Sequence, residues 1–528
     1  MIWRSLVKKV TSRLKSNYRF VIFIVCLSLL SVVHILPPFC KEIINYDSAY
    51  QYCLTLKSPS EIALLIPEDY SPPLYTVFLK LWTLIFGESL FAMRASSLLV
   101  LWGMLFLAIF PIRKAFGDKT AVLCAFFFSF TSINYVLVPE IRPTVLAYFF
   151  VTAACIYCYL AFIEDKSYAH ICFAVFSVCA MYTHNIGMLA ALAFYITALT
   201  ASLIKKEYGL VKRFFTSGML CAVCYVPWLF VVFKQFKNVK KNYWSKMPDG
   251  IFGAFQKSFL PNFYDFGNGY IRDFLELAVP LCVCVLIIIG AMKLRSKKIK
   301  KFSEIDCLNF WKHREKYSKI LFCVSLYLLP FVLWELFSLI FHPIMATRYY
   351  YIFSGTSMMF FAVLTVRFGK NIGMIALSLI SAANFCLSTF NLKRDLENSA
   401  FLDMIEYIEG ENSEGETAFL HAHEWTLGIM MYYFPDAKHY ISDDTWCVLN
   451  TLDVFPSEAI NVGSSDNISD FEEDFYIFGG TFPDTGINLS EELTNSGKFA
   501  SEVCFECKEP YTYQKGWNLI YVKSKGIS

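Results

Sequence analysis

The chain has 528 residues, of which 56% are hydrophobic and 17% charged. Soluble domains carry roughly 25% charged residues, so this composition excludes a soluble globular protein of this length and leaves an integral membrane protein. The formal net charge of +3 argues against a polyanionic partner, nucleic acid included.

The chain begins with Arg4, Lys8, Lys9, Arg13, Lys15 and Arg19, followed by an apolar run from Phe20 to Leu36. The run ends in Pro37-Pro38 with no small-residue cleavage site, so it is read as a retained first span rather than a signal peptide. Apolar segments able to cross a bilayer are predicted at 20–37, 89–111, 120–138, 143–163, 168–182, 186–204, 215–233, 274–292, 319–341, 350–366 and 371–390, about eleven helices. The stretch Tyr75–Phe86 is too short to span and is expected to lie in the interface or to re-enter. With the N-terminus in the cytoplasm, alternate loops collect Arg113, Lys114, Lys119, Lys166, Lys205, Lys206, Lys212, Arg213 and the dense run from Lys293 to Lys301, as the positive-inside rule requires.

This orientation gathers the unusual polar residues on the outer face. The first outer loop, 38–88, carries Asp47, Glu61, Glu68 and Asp69. Carboxylates are costly to keep dry beside a membrane, so they mark a water-facing surface or a working site. Glu140 and Arg142, His184, and Arg348 fall in outer turns, and Arg94 lies within a span near the same face. Arg94 is expected to have an anionic partner, either Asp47 or a bound phosphate, because an unpaired cation in a span is expensive. The cluster Lys237, Lys240, Lys241, Tyr243 and Trp244 reads as an interfacial anchor.

Residues 1–391 form the predicted membrane domain. Beyond Asn391 the chain turns polar, with short alternating runs at Thr417–His421, Phe475–Phe478, Phe499–Cys504 and Trp517–Val522 separated by turn signals such as Gly479-Gly480. Residues 392–528 are therefore predicted to form a small α/β domain outside the membrane. Most of the 18 cysteines sit in apolar runs and read as small buried apolar residues. Cys504 and Cys507 form a lone C-x-x-C, for which no structural zinc is expected.

Several strings stand in a suggestive order: the Asp47 loop, then Ser71-Pro-Pro-Leu-Tyr75, Leu81-Trp82 and Phe86-Gly87 up to Arg94; Glu140-Ile-Arg142-Pro; Tyr182-Thr-His184; Pro227-Trp228; and Arg348-Tyr349. Together they resemble the C-type glycosyltransferases of the protein O-mannosyltransferase and aminoarabinose-transferase clan, family 39 and its bacterial relatives. The resemblance covers roughly the first 390 residues. Two departures stand out: Ser48 follows Asp47 where Glu is common in the clan, and Ser71 precedes Pro-Pro where His is common. Both weaken what the resemblance would imply about a divalent metal and a paired acidic site; no cofactor is otherwise implied.

The resemblance implies a polytopic helical fold and an inverting transfer of a sugar from a polyprenyl-phosphate donor to a hydroxyl on a glycan, lipid or protein, at the outer face of a bacterial plasma membrane. Such chemistry needs a base for the acceptor hydroxyl, cations for the leaving phosphate and a groove for the lipid. Asp47 is the expected base, with Asp69 as the second candidate. Arg94, Arg142 and Arg348 are the expected phosphate ligands, assisted by Glu140 and His184. The rival reading is a transporter or lipid flippase, whose polar groups would gather near the midplane of internal repeats; no repeat is evident.

Overall fold

A computed structural model describes residues 22–242 and 315–525, apart from 34, 38, 41–42, 69–70, 132–133, 135–136, 342–343, 345–346, 398–399, 412–416, 443–452, 464–472, 481–482 and 508–516. The predicted span 274–292, the run Lys293–Lys301, the basic N-terminus and the side chains of the Lys237–Trp244 cluster lie outside the described residues.

After α1 (Ile22–Pro37), the chain folds into three short helices, α2 (Tyr46–Leu56), α3 (Pro59–Leu65) and α4 (Leu74–Phe86). Local chemistry sets their ends. Asn45 caps α2 by accepting the Ser48 N–H, and Ser58 and Glu61 form a reciprocal capping box on α3. Gly87, at φ 87°, stops α4 in a backbone conformation that side-chain-bearing residues avoid.

The bundle follows: α5 (Leu90–Phe116), α6 (Asp118–Phe130), α7 (Pro143–Ile163), α8 (Ala169–Thr183), α9 (Asn185–Lys205), α10 (Tyr208–Asn242), α11 (Glu315–Ile340), α12 (Ser354–Leu364) and α13 (Lys370–Glu397). Among the described residues, six helical stretches are long and apolar enough to cross a membrane: Leu90–Phe116, Pro143–Ile163, Asn185–Lys205, Tyr208–Gln235, Phe322–Ile340 and Arg348–Gly369. Pro111 lies inside α5 without breaking it, because a wide turn over Ala108–Ile112 absorbs the missing N–H. The helix α7 is buried almost all round, as an evenly apolar helix must be. α12 approaches it closely at Gly355, where a Cβ would lie 2.0 Å from Thr152 Oγ1.

The expected span 120–138 is shorter than its apolar run. α6 stops at Phe130, and Thr131 turns the backbone to an extended conformation. The buried Asn134 then donates to the Phe128 carbonyl at 2.9 Å and accepts from Tyr351 Oη at 2.7 Å. These bonds satisfy the carbonyl end of α6 and the start of the turn that leads to Glu140. Ala169–Thr183 also falls short of a full span at 15 residues.

The C-terminal region holds α14 (Ala400–Glu411), β1 (Ala418–His421), α15 (Glu424–Tyr433), β2 (Lys438–Ser442), β3 (Ala459–Gly463), β4 (Phe475–Phe478), α16 (Pro483–Asn495), β5 (Phe499–Cys507) and β6 (Trp517–Ser524). The strands form one sheet in the order β3-β2-β1-β4-β6-β5. β1 to β4 are parallel, and β6 runs antiparallel to both β4 and β5. The strands β1, β4, β5 and β6 match the alternating runs read from sequence; β2 and β3 do not stand out there.

This α/β region packs on α2. The Tyr46 ring lies 5.9 Å from Phe455 and 6.5 Å from Trp425 between ring centres. Gly428 permits the approach of α15, since a Cβ there would meet the Tyr46 ring at 2.5 Å. Ile43 is buried with Phe401, Met404 and Phe419, and Ile44 with Leu427, Met431 and Phe455.

Candidate active site

Segments far apart in sequence converge at the N-terminal end of α2. Asp47 occupies the first turn of that helix. Arg142 precedes Pro143 at the start of α7, and its extended backbone (φ −141°, ψ 150°) is the conformation that a following proline favours. Arg348 stands at the head of a 3₁₀ turn over Thr347–Phe353. Their side chains meet: Arg142 Nη2 lies 3.4 Å from Asp47 Oδ1, and Arg348 Nη1 donates to Asp47 Oδ2. Asp47 and Arg348 each keep 28% side-chain exposure and Arg142 keeps 16%, so a solute can reach the cluster.

The loop around Glu140 is tied to the same helix. Asn45 Nδ2 donates to Glu140 Oε1 at 2.7 Å, and the Ile141 N–H donates to Ser48 Oγ at 3.2 Å. Ser48 thus serves as a buried backbone tie. A second carboxylate near Asp47 is that of Glu140, across the site.

Electrostatics separates the two acids. Burial would push the Asp47 carboxyl up, but the guanidiniums of Arg142 and Arg348, and the Arg348 hydrogen bond, outweigh it and hold the group below the ordinary carboxylate value. Burial raises Glu140 to about 7, and the Asp47 charge adds to this against the opposing arginines and Asn45.

His184 fills the turn between α8 and α9. Its Nδ1 accepts the Ile186 N–H at 3.2 Å, capping α9, and its ring meets Tyr349 edge-on at 4.9 Å. Burial, then the charges of Arg142 and Arg348, hold the imidazole down to about 3, so it is neutral. With Nδ1 accepting, the ring proton belongs on Nε2. The α8–α9 turn is tight, since a Cβ on Gly187 would lie 2.2 Å from the Ala180 carbonyl oxygen.

Arg94 is buried on α5 and donates to the carbonyls of Phe39, at 3.4 Å, and Ile43. The sequence led us to expect an anion as its partner; these two carbonyls tie it to the segment that enters α2. Asp69 and the side chain of Glu68 lie outside the described residues. Sequence reasoning missed Asn45, whose signal was its place as a cap before an acidic first turn. It also named Tyr75 only as part of a string: this buried residue sits within electrostatic reach of Arg142 and Glu140.

The described residues do not fit a resident divalent cation. Such an ion needs several oxygen ligands, yet both Asp47 oxygens face guanidiniums and Glu140 accepts from Asn45. Among the described residues, no three His, Cys, Asp or Glu side chains gather as a ligand set.

Residues 70–231 match the family model described as dolichyl-phosphate-mannose-protein mannosyltransferase. The matched stretch holds Tyr75, Arg94, Glu140, Arg142 and His184, while Asp47 and Arg348 flank it. No curated protein matches the chain. Among solved structures, ArnT from Cupriavidus metallidurans bound to undecaprenyl phosphate is 12% identical, with a TM-score of 0.48, and 96% of this chain aligns with 98% of that one. The same protein in the apo state gives 10% identity and a TM-score of 0.49 over the same shares. The Archaeoglobus fulgidus oligosaccharyltransferase tethered to an acceptor peptide gives 14% identity and a TM-score of 0.45, over 93% of this chain and 70% of that one. The stretch that carries most of the motif strings is therefore the stretch that is similar to the mannosyltransferase family.

Proposed function

We propose that the protein is a membrane glycosyltransferase that moves a sugar from a polyprenyl-phosphate donor to a hydroxyl of a glycan, lipid or protein on the outer face of a bacterial plasma membrane. The observation that carries this reading is Asp47 held between Arg142 and Arg348 at a partly exposed site. The family match over residues 70–231 supports it.

In this reading the carboxylate occupies the place of an anion between two guanidiniums until the donor arrives. The donor phosphate takes over the arginines, whose forks pair with its oxygens. Asp47 then gains a negative neighbour and loses its positive ones, so its basicity rises. The acceptor oxygen attacks the anomeric carbon as that carbon's bond to the phosphate oxygen breaks. The bonding pair leaves with the phosphate, the hydroxyl proton passes to Asp47, and a single displacement inverts the anomeric centre. Asp69 is kept as the second candidate base. Neutral His184 and Glu140 line the arginines, Glu140 setting the local charge, and Arg94 supports the loop.

The N-terminus is placed in the cytoplasm and the domain 392–528 outside, on the membrane domain 1–391. The test is mass spectrometry of glycolipids and glycans from cells with and without the gene, then transfer by the purified protein from a synthetic polyprenyl-phosphate sugar. Loss of one sugar modification, restored by the wild type, is the expected result; unchanged glycans together with no transfer in vitro would reject the reading.

A further inference from the structure

The peptide group between Ile43 and Ile44 is held at both of its polar atoms. Its carbonyl, on Ile43, accepts from Arg94 of the bundle. Its N–H, on Ile44, donates to Tyr433 Oη of the C-terminal region at 3.0 Å. Asn45, the cap of α2, is the next residue, and Asp47 follows two places later. The Tyr433 ring is fixed by Phe401 and Tyr432, with ring centres at 5.6 and 5.0 Å, so the hydroxyl is aimed by a packed core. The Tyr46 ring, beside Asp47, rests on Phe455 and Trp425 of the same region.

A carboxylate that must sit between two guanidiniums and later meet an acceptor hydroxyl at about 2.6–3.2 Å needs a fixed backbone. Ile43, Ile44 and Asn45 lie outside any helix or strand, so ties from other elements supply that rigidity. We propose that Tyr433 is a positioning residue for Asp47: together with Arg94 it clamps the Ile43–Ile44 peptide, so that docking of the C-terminal α/β domain sets the geometry of the base. This rests on the reading of Asp47 given above and assigns the domain a task in the reaction.

Tyr433→Phe removes the hydroxyl and keeps the ring. In the purified full-length protein, peptides covering residues 43–48 should exchange amide hydrogen faster, by the roughly two- to tenfold expected for one lost hydrogen bond. Turnover should fall while the donor KM changes little. The acid limb of the kcat/KM profile, which reports the free enzyme, should move up toward the ordinary carboxylate value, because Asp47 no longer keeps its place on the arginines. Gly428→Ala, which wedges α15 away from Tyr46, should act in the same direction. Wild-type exchange in Tyr433→Phe would overturn the clamp. Faster exchange with an unchanged kcat and acid limb would overturn the positioning role. Retention of turnover by Asp47→Asn would instead reject Asp47 as the base, while the exchange readout still judges the clamp on its own.

Discussion

Asn45 joins two structures with one side chain: its Oδ1 accepts the Ser48 N–H at 2.9 Å, capping α2, and its Nδ2 donates to Glu140 at 2.7 Å. The acid raised to about 7 is thereby fixed to the helix that carries the acid held low. With Glu140 neutral, the two guanidiniums of Arg142 and Arg348 exceed the single Asp47 carboxylate by one charge; ionising Glu140 cancels the excess. Affinity for a phosphate-bearing donor should therefore fall as pH rises through about 7. Glu140→Gln keeps an acceptor for Asn45 and should flatten this dependence, read by donor titration at constant ionic strength. Stability has a related sign. The native state keeps the Glu140 proton to about 7 while the unfolded chain releases it near 4.5, so the native form binds more protons in that window and stability falls as pH climbs through it. Glu140→Gln should remove that slope in thermal melts.

Asp47→Asn preserves shape and removes basicity. Turnover is expected to drop roughly a hundredfold or more. Donor affinity should hold or tighten, since no carboxylate then competes for Arg142 and Arg348. Measuring single-turnover transfer and donor binding on the same preparation separates the two effects; a weaker donor complex would mean that the carboxylate contacts the donor directly.

Arg142→Ala and Arg348→Ala should each weaken donor binding by a charge-assisted contact, about 1.5–3 kcal/mol. Lysine at position 348 should recover only part of this, because an ammonium lacks the paired geometry of the fork. Isothermal titration with a polyprenyl-phosphate sugar checks both. Equal affinity in all variants would make these arginines purely structural partners of Asp47.

The packing of the C-terminal region on α2 puts it on the same side of the bundle as Asp47, Arg142 and Arg348. In the orientation proposed above, that side is the exterior. Protease added to intact spheroplasts should cleave within 392–528 and leave the cytoplasmic basic loops untouched. Protection of the C-terminus would move the whole site to the cytoplasm.

Much of the site was legible in the sequence because it is made of charged groups where charge is expensive. Asp47, Arg142, Glu140 and Arg348 stand out against apolar surroundings, and the positive-inside pattern groups them on one face. The role of Arg94 was not legible: composition shows a cation in a span but cannot show that backbone carbonyls receive it. The end of α6 was hidden by a run that stays apolar to Val138, while Thr131 and Asn134 turn the chain early. In the C-terminal region, β2 reads Lys-His-Tyr-Ile-Ser and β3 Ala-Ile-Asn-Val-Gly, runs with a smaller apolar share than Ala-Phe-Leu-His of β1 or Phe-Tyr-Ile-Phe of β4. Their pairing with β1 and with each other comes from the parallel sheet, which is a tertiary property.

The bond from Ile44 to Tyr433 spans 389 residues of chain. A ribosome adding about 5–20 residues per second needs roughly 20–80 s to make that distance. For all of that interval the segment before α2 exists without its second anchor, in a membrane already receiving the first helices. On the clamp proposed above, full turnover is reached only after the C-terminal region has been made and has docked. A chain cut short between Arg348 and Tyr433 would retain Asp47, Arg142 and Arg348 and still lack the hydroxyl that seats the proposed base.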